Sequence, residues 1–110
     1  MTKSDHEWHI RAEIALAVAI KSRRLITYAD LADTAAIPAP NRINKLSQWL
    51  EATMELDHAQ SMSLRAAWVI SRARGGLPAP GFFIKCKELG LYDGPSDGAS
   101  AIAFHLNLLN

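Results

Sequence analysis

Ile26-Thr27-Tyr28-Ala29-Asp30-Leu31-Ala32-Asp33-Thr34-Ala35-Ala36-Ile37-Pro38-Ala39-Pro40-Asn41-Arg42-Ile43 is the stretch on which the fold turns. Leu25-Ile26 reads as an extended link. Thr27 to Asp30 has the form of a capping box, in which the Thr hydroxyl accepts from a first-turn amide while Asp30 reaches back. A short helix then runs to about Ala35. Ile37-Pro38-Ala39-Pro40 stops it, because each Pro lacks an amide donor and biases the preceding residue away from helix. From Asn41 a longer helix runs to about Ala59, with Ile43, Leu46, Leu50, Thr53, Met54 and Asp57 on one side. Asn41, Asn44, Lys45, Gln48, Glu51 and Glu55 gather on the other.

Upstream, Asp5 to Ser22 reads as a first helix, with Ser4 or Asp5 as N-cap and Glu7 in a first turn whose dipole favours negative charge. Trp8, Ile10, Ile14, Ala17, Val18 and Lys21 recur there at three- and four-residue steps, and Ala12 to Ala19 has high helix propensity. Downstream, Leu64 to Ser71 is dense in apolar and β-branched residues and too short for a helix, which predicts a buried strand. Arg72 to Gly81 is loop or hairpin, with Gly75 and Gly76 permitting positive φ. Phe82 to Leu89 makes a short helix closed by Gly90. In the tail, Ile102, Phe104, Leu106 and Leu108 alternate as in a strand, yet Ile102, His105, Leu106 and Leu109 share a helical face; the helical reading is preferred. The fold class expected is mainly α with a small β component, like a winged helix-turn-helix.

The 110 residues leave room for one domain, spanning 1–110. A composition 49% hydrophobic and 21% charged is that of a globular chain. One Cys excludes an internal disulfide framework, and no apolar run reaches the roughly 18 residues of a membrane-spanning helix. The polar, acidic N-terminus does not read as a secretory signal, so a cytoplasmic protein without a membrane association is expected. The net charge of +1 selects no partner, but its distribution is uneven. Residues 1–26 carry +2, 27–60 carry −3, 61–95 carry +3 and 96–110 carry −1. The helix pair is thus acidic and the following loop region, with Arg65, Arg72, Arg74, Lys85 and Lys87, basic.

Ile26-Thr27-Tyr28-x-x-Leu31-Ala32, Pro38 and Arg42, followed by an apolar segment and a Gly-rich loop, resemble the DNA-binding half of the alkylguanine-DNA alkyltransferases and their non-enzymatic alkyltransferase-like relatives. In that family a Thr/Ser-Tyr-x-x-Leu-Ala segment begins the first motif helix, and an Arg about fourteen residues after the Tyr opens the recognition helix. The resemblance implies that Tyr28 sits against the target nucleotide's phosphate and that Arg42 enters the base stack in place of a flipped nucleotide. It covers roughly residues 24–83. The family's acceptor Pro-Cys-His-Arg-Val-Val falls on Arg65-Ala66-Ala67-Trp68-Val69-Ile70, and Ala66 and Ala67 supply neither thiolate nor base. The small residues that follow the family's Arg are replaced by Ile43, Asn44 and Lys45.

No other chemistry stands out. Cys86 lies between Lys85 and Lys87 with no His or acid at a useful spacing, and reads as a small buried hydrophobe. His6 and His9 stand one turn apart with Glu13 as a third group, short of a zinc pattern, so no metal or cofactor is expected. Asp30 and Asp33 read as capping and dipole residues. G-x-S-x-G, P-loop and G-x-G-x-x-G motifs are absent, and an enzyme is not expected.

Two functions follow. The first is non-catalytic binding of double-stranded DNA through Tyr28, Asn41, Arg42, Asn44, Lys45, Gln48, Arg72 and Arg74. The second is a protein-interaction module of mobile-element or phage type, binding a basic protein partner through Trp49, Glu51 and Glu55, with Asp57 adding charge. Trp49 fits either core packing or an exposed contact. The apolar tail around Phe104, Leu106, Leu108 and Leu109 leaves a homodimer open.

Overall fold

The computed structural model describes residues 3–110 and is mainly helical, with one two-stranded sheet. In chain order it comprises α1 (Lys3–Lys21), β1 (Ile26–Thr27), α2 (Tyr28–Thr34), α3 (Arg42–Ala59), a 3-10 turn (Arg65–Trp68), β2 (Val69–Ile70), a second 3-10 turn (Arg72–Arg74), α4 (Pro80–Glu88) and α5 (Gly98–Leu108). Helix α1 begins at Lys3, so Ser4 and Asp5 lie inside it and its cap position lies outside the described residues. Asp5, rather than Glu7, is the acid of its first turn.

The predicted strand over 64–71 is corrected to a 3-10 turn followed by two strand residues. Ala66, Ala67, Trp68 and Val69 are all buried, and a segment enclosed on every side has no solvent face to demand alternation. β2 pairs in parallel with β1, Ile26 opposite Val69 and Thr27 opposite Ile70, so the link before α2 is itself a strand. Beyond it, Ser71 and Leu77 form an antiparallel bridge that closes a tight loop, with Gly75 and Gly76 at φ +66° and +89°. Those angles are costly for a residue with a Cβ. Helix α4 starts at Pro80 rather than Phe82, with the Pro at a first-turn position that needs no amide donor.

Trp8, Leu16, Leu31, Leu46, Met54, Val69, Phe83 and Cys86 are among the residues of one core, to which every helix contributes. Helix α1 turns Trp8, Ala12, Leu16 and Ala19 inward, and small Ala side chains permit close approach to the rest of the core. Of the recurrence seen in its sequence only Trp8 lies on that face; Ile10, Ile14, Ala17, Val18 and Lys21 are exposed on the opposite one. The tail is helical, as preferred, but it buries Ala101 and His105, with Phe104, Leu108 and Leu109 packed beside them, while Ile102 and Leu106 face outward. His105 bonds through Nε2 to the carbonyl of Ala67 at 2.7 Å, and Tyr92 stacks on Phe104. These two contacts dock α5 on the first 3-10 turn and on the segment that follows α4.

Four helices end in one motif. The amides of Arg24, Ile37, Met62 and Leu91 reach back to Ala19, Ala32, Asp57 and Cys86, and those of Arg23, Ala36, Ser61 and Gly90 to Ile20, Asp33, His58 and Lys87. This paired closure requires a left-handed residue, and Arg23, Ala36 and Ser61 occupy it at φ +54° to +56° where glycine is usual.

Candidate functional site

The start of α2 is set by Thr27, whose hydroxyl accepts from the Asp30 amide at 3.1 Å. The reciprocal arm of the expected capping box is replaced: the Asp30 carboxylate points to Arg72, 3.8 Å away. Around this helix start lies an open cleft of about 340 Å³. Thr27, Tyr28 and Asp30 come to it from α2 and its cap, Ile43 from the first turn of α3, and Ser71 and Arg72 from the Gly-rich loop. Tyr28 is half-buried in its wall, and its hydroxyl accepts from the Ala79 amide at 2.9 Å. Burial pushes the phenol pKa up, against the opposing pull of the Ala79 amide and of Arg74.

The eight residues singled out for DNA do not form one surface. Tyr28 and Arg72 share the cleft. Asn44 and Gln48 are exposed on α3, with Gln48 and Lys45 bordering a shallow depression beside Trp8, His9 and Trp49 on the α1 side. Asn41 stands in the left-handed region at φ +60° as the residue before α3, a conformation Asn tolerates better than most. Arg74 is folded onto the main chain, donating to Pro78 O at 2.9 Å and to Ser96 O.

Arg42 is turned back onto the connection between α2 and α3. Its Nε donates to Ile37 O at 2.7 Å, Nη2 to Ala32 O at 3.0 Å and Nη1 to Asp33 at 3.0 Å. Lys45 donates to Pro38 O at 2.8 Å, and Arg11 to Ala35 O at 2.6 Å. Three cations thus converge on carbonyls at and beyond the C-terminal end of α2, the negative end of its dipole. Two of them, Arg42 and Lys45, were expected at the DNA duplex, because a polar helix face does not reveal how near the preceding turn lies. It also missed Ile43, which takes the cleft position beside Tyr28; nothing in an apolar residue next to an Arg signals this.

The acidic face of α3 is partly engaged. Glu55 pairs with Lys85, which also reaches Glu88 at 3.2 Å. Glu51 is half-buried, and Trp49 packs edge-on against Trp8 with centroids 6.2 Å apart. Asp57 belongs to the interior, 3% exposed and bound by Arg65, so neither residue contributes a free charge to a surface. Cys86 is fully buried and desolvation pushes its thiol up to about 12, which leaves no thiolate at neutral pH. Among the described residues no three His, Cys, Asp or Glu side chains are grouped to hold a metal, and no helix is long and apolar enough to cross a membrane. Compared with protein-family models, with curated proteins and with solved structures, the chain matches none.

Proposed function

We propose that the protein is a non-catalytic, alkyltransferase-like binder of double-stranded DNA, built as a winged helix-turn-helix. One observation carries this reading: the start of α2, the first turn of α3 and the Gly-rich loop meet at one open cleft that holds Tyr28 and Arg72. In it the Ser71–Leu77 loop acts as the wing and Arg72, whose side chain is 82% exposed, meets a phosphate. Asn44, exposed on α3 one position after Ile43 of the cleft, reads a base edge. The cleft, walled by Tyr28 and Ile43, takes an extruded or unpaired base. Arg42, Lys45 and Arg74 shape the turn and the loop that present these groups. Ala66 and Ala67, buried where the family carries its acceptor, are consistent with binding without alkyl transfer.

Docking of a basic protein on α3 has less support, because Glu55 is paired with Lys85 and Trp49 is packed on Trp8.

Fluorescence anisotropy with matched, mismatched and alkylated duplexes over a salt series tests the proposal. Affinity falls steeply as salt rises, and Arg72→Ala reduces the logarithmic salt slope by about 1. Asn44→Ala weakens binding with little change in slope. Absence of binding to all three duplexes at low salt overturns the reading.

A further inference from the structure

Helix α1 carries a second apolar face that the fold leaves uncovered. Ile10, Ile14 and Val18 are 45%, 60% and 60% exposed, Ala17 is exposed between them, and Leu25, 43% exposed, extends the face past the helix end. The stripe borders a groove of about 570 Å³ that runs toward Ile26 and Thr34. Glu7, Ile10, Ile14, Ala17 and Lys21 follow the alternating three- and four-residue spacing of a two-helix seam.

The charges at the ends of this seam select its occupant. Glu7 and Lys21 are both exposed and stand seven positions before and after Ile14. A two-fold axis through Ile14 with antiparallel helices sets each Glu7 opposite the Lys21 of the other copy, Ile14 against itself, and Ile10 against Ala17 and Val18. A parallel pair would oppose Glu7 to Glu7 and Lys21 to Lys21, which is repulsive at both ends. From this self-complementarity we infer that the chain forms an antiparallel homodimer through α1, an isologous contact in which one patch serves both subunits. The overlap from Glu7 to Lys21 is about 21 Å of helix, a small interface, so the dimer dissociates on dilution.

Sedimentation equilibrium of the full chain over a dilution series, with circular dichroism as a control on folding, provides the test. Glu7→Lys and Lys21→Glu each weaken the dimer by about tenfold, and the double exchange restores it, because only the antiparallel pairing makes these positions partners. Ile14→Cys, at an exposed position, cross-links to a covalent dimer on mild oxidation while the wild type, with Cys86 buried, does not. A chain that stays monomeric at every concentration overturns the inference. So does a dimer indifferent to both charge changes and without cross-linking at position 14, which would place the contact elsewhere, such as at Ile102 and Leu106 of α5.

Discussion

The amide of Ala79 donates a 2.9 Å hydrogen bond to the hydroxyl of Tyr28, tying the entry to α4 to the start of α2. Tyr28→Phe removes the acceptor and leaves that partly buried amide without it. A loss of about 1–2 kcal/mol in urea denaturation is expected. An unchanged midpoint would show that water replaces the hydroxyl at no cost.

Asp57 is held by Arg65 through both the guanidinium, at 3.0 to 3.1 Å, and the backbone amide, at 3.1 Å. Arg65 is part-exposed and keeps Glu13 at 3.7 Å, so Asp57→Ala costs about 2–3 kcal/mol, the loss of charge-assisted hydrogen bonds. Asp57→Asn keeps an oxygen for the Arg65 amide and costs less. In a double-mutant cycle with Arg65→Ala, the combined loss falls short of the sum of the single losses. Additive losses would mean that the two side chains do not interact.

Ala36 closes α2 at φ +54°. A Cβ is unfavourable there, and glycine has no such penalty, so Ala36→Gly stabilises the protein by about 1 kcal/mol despite the added freedom of its unfolded chain. A higher thermal midpoint in calorimetry is the expected readout, and a lower one would place the strain elsewhere.

Stability declines in alkali. The thiol of Cys86 ionises near 9 when unfolded and near 12 when folded, because burial disfavours the thiolate. A raised value means that its contribution is fully present below pH 9 and is lost as pH climbs toward 12, in all by about 4 kcal/mol. Tyr28, also shifted upward by burial, adds to the fall in the same direction at higher pH. Denaturation midpoints measured across the alkaline range should drop for the wild type and drop less for Cys86→Ala. Parallel curves would show that the buried thiol does not drive the loss.

The helices were legible where local signals act alone. Thr27 and the Pro38/Pro40 pair bracket α2, and of the α3 positions expected on the inward side Leu46, Leu50, Thr53, Met54 and Asp57 are buried while Ile43 is exposed. Helix ends were harder, because Arg23, Ala36 and Ser61 close three helices in the glycine conformation and nothing in those residue types announces it. The sheet was legible only in part: an extended link at Leu25-Ile26 and a strand over 64–71 were expected, but two-residue strands carry no alternation, so their bounds and parallel pairing are defined only by packing against each other.

Sequence alone determined the helical class, the position of the α2–α3 turn and the burial of Cys86, since propensity, capping and hydrophobic period are properties of neighbouring residues. Tertiary structure decided which of α1's two apolar faces enters the core, that Arg42, Lys45 and Arg11 turn to the carbonyls after α2, and that Tyr28 meets Arg72 in one cleft. A cation's partner is whichever acceptor folding brings within about 3 Å, and that distance is set by residues far away in the chain.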